Sequence, residues 1–403
     1  MIHTSIVRSQ HDIASDARMA ALVLSATLLR LYREQSSLLL FKPSAPVFQP
    51  LNGKPFVYLF IKLLLVDIQA TIPSLLGILT SSTFANTCKR LAASYDIIVG
   101  FIGYLLKSLD HEDTDSHDTT DSLLPSDLLL RLRTDIAEAM SLTIEYMRDR
   151  YDAAISVPTG SRACRRSSTA SRQSPNQPLI LLSDSAAGGL PEVQLAAAQV
   201  RTLGLWLRED DNQSLRKEAV GIIDVLLSLY VSTASDDVRS PIIVALQGIT
   251  TVSQAVETFL DKGGWTILFE DLRPTLGSSN APEEHEIRAI EIVRVLLAVV
   301  ESTPLGTPRE EWMELVSASV GGIMAKSVTY EELELRIGSW QLAVELLTRA
   351  PMAARGDYVK EAQRMVDLAS DHLDGREDHK LRDGLSEVID GIVELFPDLK
   401  GID

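Results

Sequence analysis

Cysteine, aromatic residues and positive charge are scarce in this chain of 403 residues. Only two cysteines occur, Cys88 and Cys164, which argues against a disulfide framework and fits a reducing compartment. Aromatic residues make up 5% of the chain, whereas sandwiches and barrels draw more heavily on aromatic and β-branched side chains. The 38 basic residues face 55 acidic ones, a net charge of −17. This charge repels phosphate backbones, so we expect no nucleic-acid partner.

Long hydrophobic runs are also missing. The first residues, MIHTSIVRSQHDIASD, contain no apolar core of a secretory signal. The most apolar run, Phe56 to Val66, contains Lys62 and is followed by Asp67, while a bilayer span needs roughly 20 apolar residues. We therefore expect a buried core helix in this region and no stable membrane insertion.

Helical periodicity is what the sequence has in abundance. Apolar residues recur at three- and four-residue steps in roughly a dozen segments, and no strand or hairpin pattern lies between them. Two of these segments, Ser214 to Val231 and Asp236 to Asp261, are each predicted as one helix. Residues 110–121 hold six acids in twelve positions, and residues 157–178 are rich in Ser, Arg and Pro, so both are predicted to be disordered.

These patterns predict the domain organisation. We expect N-terminal helical repeats over 1–109, an acidic disordered loop over 110–122, a long helix over 123–156, a Ser/Arg-rich disordered linker over 157–190 and C-terminal helical repeats over 191–403. Helix pairs of this kind bury their apolar faces by stacking on their neighbours. The predicted fold class is therefore all-α, an armadillo/HEAT-like α-solenoid of irregular repeats. One irregular helical bundle is the alternative.

Motifs for catalysis and cofactor binding are missing from the sequence. There is neither a phosphate-binding loop nor a nucleophile elbow, and Gly263-Gly264 is interpreted as a turn between helices. His111 and His117 lie near Asp113 and Asp115, but neither zinc nor EF-hand spacing is met. We interpret Cys88 as a structural thiol although Lys89 and Arg90 follow it. We predict no catalytic, cofactor or metal residues and no small-molecule substrate.

Two serines of the 157–190 segment are candidate phosphorylation sites. Arg165 and Arg166 precede Ser168 by three and two residues, a spacing that suits basophilic kinases, and Ser174-Pro175 offers a proline-directed site. A phosphate added there would offset much of the positive charge of this segment.

The stretch VRTLGLWLREDDNQSLRKEAVGIIDVLLSLY, residues 200–230, resembles the neurochondrin family. Members carry an apolar helix ending in Leu-x-x-Trp-Leu, then an acidic linker, Ser-Leu-Arg-Lys-Glu and a second apolar helix. GKPFVYLFIKLLLVDIQATIPSLL (53–76), SYDIIVGFIGYLLKSLD (94–110) and residues 123–153 support the resemblance. It implies an armadillo-like fold and a cytoplasmic adaptor in signalling. Family members usually have further repeats before the point where this chain begins, and the paired N-terminal cysteines of animal members are absent.

The same stretch has a structural interpretation of its own. Leu203, Trp206 and Leu207 form one apolar stripe, which faces a second stripe of Ile222, Leu226 and Leu229. Asp211 or Ser214 is expected to cap the second helix. Arg208, Arg216 and Lys217 are expected on the outside, as a candidate interaction surface for other proteins.

Two functions from different classes are consistent with the sequence. The first is a non-enzymatic protein-binding adaptor or scaffold. The alternative is a regulatory or exchange-factor-like helical-repeat protein that acts on a GTPase or a kinase.

Overall fold

The protein is described by a computed structural model, which covers residues 2–42, 54–110, 124–156, 189–233, 235–278, 281–303, 308–322, 328–373, 378–397 and 399. Helices account for the regular structure in these ranges, and none of them contains a β-strand. The all-α class is thereby confirmed. The chain divides into two compact units, Met1–Thr233 and Ala234–Asp403.

The first unit consists of eight α-helices over its described ranges. Their bounds are α1 Ile2–Leu31, α2 Arg33–Phe41, α3 Phe56–Thr71, α4 Phe84–Asp110, α5 Ser126–Ser156, α6 Gly189–Glu209, α7 Gln213–Ala219 and α8 Ile223–Ser232, with 3-10 turns at Ile72–Ile78 and Val220–Ile222. Helices α1, α4 and α6 contact one another in this order, and α3, α5 and α7 form a second series. The two series contact each other where α3 packs on α4, and a side-chain hydrogen bond also joins α4 to α5.

The second unit repeats this kind of packing. Its helices are α9 Asp236–Ile249, α10 Ser253–Asp261, α11 Gly264–Gly277, α12 Glu283–Ser302, α13 Glu310–Ser319, α14 Tyr330–Arg349, α15 Met352–Arg355, α16 Val359–Leu373 and α17 His379–Leu395. Helices α9, α12, α14 and α17 contact one another in series, and α11 packs on α13 beside them. Packing between α14 and α17 is close, because a Cβ atom at Gly384 would lie 2.8 Å from Cγ2 of Ile337.

Each unit has an apolar core, and polar side chains also link its helices. In the first unit, the buried Tyr95 hydroxyl lies 2.6 Å from Thr143 Oγ1 and joins α4 to α5. Arg201 donates to Asp96 at 2.7 Å and joins α6 to α4. In the second unit, the rings of Trp265 and Trp312 stack with centroids 4.6 Å apart. Burial of such side chains is what holds neighbouring helices together.

Two predicted helices are interrupted in the structure. The predicted helix from Asp236 to Asp261 ends at Ile249 and restarts at Ser253, because the Thr250 and Thr251 hydroxyls donate to the carbonyls of the last turn. The segment from Ser214 to Val231 is divided by the 3-10 turn Val220–Ile222. Glycine and β-branched residues are poor helix formers, and this turn contains only such residues.

Other local predictions are confirmed. Gly263 has a φ of 73°, in the left-handed region that favours glycine, and α11 begins directly after it. Trp206, Leu203 and Leu207 are buried, and so are Ile222, Leu226 and Leu229 of the second stripe. The segments 111–123 and 157–188 lie outside the described residues, so their predicted disorder stays a prediction.

Candidate functional site

An apolar cleft in the first unit is the candidate site, and we call it the α4–α5–α6 cleft. It has a volume of about 490 Å³ and lies between the C-terminal part of α4, the N-terminal part of α5 and the end of α6. Most of the lining side chains are apolar: Phe101, Ile102, Leu105, Leu106, Leu124, Leu129, Leu130, Leu132, Ile136 and Trp206. A cleft of this size and character is typical of a binding site.

The start of α5 supplies one wall because it carries more leucines than one helix face can bury. Leu128, Leu132 and Ile136 follow at four-residue steps and are buried, and the last two also line the cleft. Leu129 and Leu130 lie on other faces of the same turn and line the cleft. Leu130 keeps 61% of its surface exposed. Part of the apolar surface of α5 therefore stays in contact with water after the helices of the unit have packed.

Two polar atoms on the cleft wall are buried without a partner among the described residues: Nε1 of Trp206 and Oδ2 of Asp210. Trp206 is 8% exposed and Asp210 is 7% exposed. The second oxygen of Asp210 is satisfied, since Arg133 Nε donates to Oδ1 at 2.8 Å. These two atoms are one unpaired donor and one unpaired acceptor on side chains that line the cleft, and such groups are costly to bury.

The turn after α6 carries the acidic rim of the cleft. Glu209, Asp210 and Asp211 follow one another, and Glu209 and Asp211 are exposed. Asn212 then caps α7, because its side chain accepts hydrogen bonds from the backbone N–H groups of Ser214 and Leu215. The prediction that Asp211 or Ser214 caps this helix is wrong. A cap accepts from the second or third residue after it, and at this turn Asn212 has that position.

Only two of the three basic residues predicted on the outside are there. Arg208 is exposed and donates to Glu209 at 2.7 Å, and Lys217 is exposed on α7. Placing Arg216 on the outer surface is wrong, because this side chain is buried. It donates to the carbonyls of Leu207 at 3.0 Å and Asp210 at 3.1 Å. These carbonyls belong to the end of α6 and the turn that follows, where helix carbonyls lack donors of their own.

The other residues singled out in the sequence lie outside the described ranges, except for Cys88. Ser168 and Ser174 lie outside the described residues, as do His111 and His117. Cys88 is fully buried, and this burial, together with the charge of Glu192, raises the pKa of its thiol to about 12. In the part of the chain that the structure describes, no group of three or more His, Cys, Asp or Glu side chains is arranged to hold a metal ion.

Leu129, Leu130 and Asp210 were not predicted from the sequence as site residues. A signal existed, since LLLRL at 128–132 contains four leucines in five positions. The sequence does not show which helices are neighbours. Helices α4 and α6 contact each other although all of α5 lies between them in the chain.

A second groove, of about 380 Å³, lies in the second unit between α12, α14 and α17. It is more polar than the α4–α5–α6 cleft. Arg294 Nη2 donates to Glu334 at 2.9 Å, and Gln341 Nε2 donates to Glu387 at 2.9 Å. Polar side chains of its lining therefore pair with each other.

Two buried carboxyl groups near the starts of α12 and α14 give the second unit a pH dependence. Burial, followed by the nearby charge of Glu332, raises the pKa of Glu286, and the Thr329 hydroxyl, which donates to it at 3.3 Å, opposes this. The pKa of Glu332 is raised by burial and lowered by the charge of Arg336. Folding thus favours the protonated form of both groups.

We expect Glu286→Gln to flatten the pH dependence of stability. A raised pKa in the folded state means that stability is greatest in acid and falls as pH rises from the ordinary glutamate value through the raised one. The variant should match the native chain at the acidic end and exceed it in the free energy of unfolding at neutral pH. Urea denaturation across this range is the measurement. Glu284→Gln, at an exposed neighbour on the same turn, is the matched control, and equal effects of both substitutions would contradict the assignment.

Two described segments are long and apolar enough to cross a membrane by length and composition, Phe56–Ile78 and Phe84–Ser108. Both also contribute to the core of the first unit through residues such as Ile61 and Ile98. Because core helices pass the same test, these segments are weak evidence for a membrane span.

Comparison with known proteins shows one family. The family model for neurochondrin matches residues 3–335, which include the whole α4–α5–α6 cleft and end within α14. No curated protein matches the chain. Neurochondrins are not known as an enzyme family, and the all-helical structure fits a helical adaptor protein. On the extent of this match, the chain belongs to the neurochondrin family.

Proposed function

We propose that this chain is a non-enzymatic, armadillo-like adaptor that binds other proteins and works in cytoplasmic signalling. The observation that carries the proposal is the helix order within each unit, in which α1, α4 and α6, and then α9, α12, α14 and α17, pack side by side. This packing is how armadillo and HEAT repeats bury their apolar faces. Repeats that stack in this way offer elongated surfaces suited to recognition.

The groups that face solvent support binding rather than catalysis. The α4–α5–α6 cleft is lined mainly by leucine and other apolar side chains, and its acidic residue Asp210 is already paired with Arg133. A reaction centre needs converging nucleophiles, acids or bases within hydrogen-bond reach of a substrate. An apolar cleft with a few polar groups is what a protein partner's side chains require.

Purification of the tagged full chain with its bound proteins, followed by reconstitution from purified components, tests the proposal. We expect at least one stoichiometric complex in analytical ultracentrifugation, and a chain lacking Val157 to Pro178 compared in parallel shows whether that segment contributes. Absence of direct binding by every purified candidate would contradict the adaptor function. If the chain accelerated nucleotide exchange or altered kinase activity of a bound protein, the regulatory alternative would replace it.

A further inference from the structure

We infer that the α4–α5–α6 cleft binds a cationic amphipathic helix of a partner protein. In this arrangement a large apolar side chain of the partner packs against Leu130 and Trp206, and a lysine or arginine of the partner faces Asp210. The inference rests on the proposed function and adds the chemistry of the partner to it.

Shape and apolar surface favour a helix as the occupant. The cleft is bordered by three helices, and an amphipathic helix laid into such a groove presents its anchors at three- and four-residue steps. Leu130 belongs to the mainly apolar lining of the cleft and keeps 61% of its surface exposed. Strand addition is a less suitable mode, since no sheet edge exists in the described ranges.

The polar groups of the wall specify what the partner must supply. Asp210 needs a donor for Oδ2, and Trp206 needs an acceptor for Nε1, because neither has a partner among the described residues. Both side chains are more than nine-tenths buried and both line the cleft. A charge-assisted hydrogen bond from lysine or arginine is the strongest partner for a carboxylate.

Charge complementarity favours a cationic helix over a neutral one. The lining contains three acids, Glu209, Asp210 and Asp211, and one base, Arg133. A local negative potential attracts cationic partners and raises their association rate.

Fluorescence anisotropy with a designed probe tests this inference on the full chain. The probe is a fluorescein-labelled 18-residue Leu/Lys peptide with leucines at helical spacing, and the controls are a Leu/Glu peptide with the same leucines and a scrambled Leu/Lys peptide. Leu130→Asp should weaken binding of the probe by about tenfold or more, as for a central anchor of an interface. Trp206→Phe, which keeps an aromatic ring and removes the donor, should weaken it by a smaller factor.

Leu63→Asp is the matched control. Leu63 is 49% exposed on α3 of the same unit and does not line the cleft. Both substitutions add one negative charge, so attraction by net charge alone would hold the probe equally well or better in both variants. We expect affinity to fall only for Leu130→Asp, with thermal unfolding showing that each variant is folded.

Several results would overturn the inference. They are equal binding by the two aspartate variants, equal binding of the Leu/Glu or scrambled peptide, and binding that appears only after Val157 to Pro178 are deleted. The last result would assign the cleft to this chain's own basic segment. Each of them leaves the adaptor function standing if a purified partner still binds directly, so the two failures are distinguishable.

Discussion

Replacement of Trp340 by alanine is expected to lower the free energy of unfolding of the second unit by about 3–5 kcal/mol. Trp340 lies in the middle of α14 with none of its side chain exposed. Its Nε1 donates to the Ser319 carbonyl at 3.1 Å and so ties α14 to the end of α13. The substitution leaves a cavity where the two helices meet. Since domains are stable by only about 5–15 kcal/mol, this is a large part of the total.

Tryptophan fluorescence during urea denaturation measures this effect in one unit alone. Trp265, Trp312 and Trp340 belong to the second unit, so a Trp206→Phe background removes the signal of the first unit. Trp340→Phe is the matched control, because it keeps an aromatic ring in the core. The Ser319 carbonyl still accepts from Arg336 at 3.3 Å. We expect a loss of about 1–2 kcal/mol for this variant. Equal losses for alanine and phenylalanine would contradict the packing role.

Arg288→Ala is expected to cost about 3 kcal/mol, toward the lower end for a broken buried ion pair because its partners are partly exposed. Arg288 lies on α12 and is 5% exposed. Its guanidinium forms ion pairs with Asp236 of α9 and with Asp271 of α11, where Nε lies 3.0 Å from Oδ2. Alanine removes the cation that these two carboxylates share and loosens three helices at once.

Arg294→Ala provides the comparison for this prediction. Arg294 lies on the same helix, its side chain is 44% exposed, and it also pairs with two carboxylates, Glu291 and Glu334. Exposed pairs of this kind contribute about 0–1 kcal/mol. Urea denaturation of both variants should show a clear difference. If Arg294→Ala lowered the free energy of unfolding as much as Arg288→Ala, burial would not explain the contribution of the Arg288 ion pairs to stability.

The helical class and much of the core could be predicted from periodicity alone. Trp206 and Leu203 are buried where their spacing placed them, because an i, i+3, i+4 pattern defines a helix face whatever lies beside it. The Gly263 turn was predictable for a similarly local reason, namely the left-handed backbone that favours glycine.

Features that depend on distant neighbours could not be predicted in this way. Arg216 looks like a surface residue in the sequence, yet it is buried against two carbonyls at the end of another helix. The first unit extends to Thr233 and does not end at the predicted linker. Helix α6, which follows that segment in the chain, packs on α4, which precedes it. The α4–α5–α6 cleft arises from the same contact, so no local pattern could have located it.

Amide hydrogen exchange of the full chain, alone and with a directly bound protein partner, tests the central claim most directly. We expect the partner to slow exchange in residues 101–108 of α4, 124–136 around the start of α5 and 206–211 at the end of α6, where local opening is suppressed on binding. Unchanged exchange in all three segments beside a saturated complex would contradict the assignment of the cleft as the recognition surface.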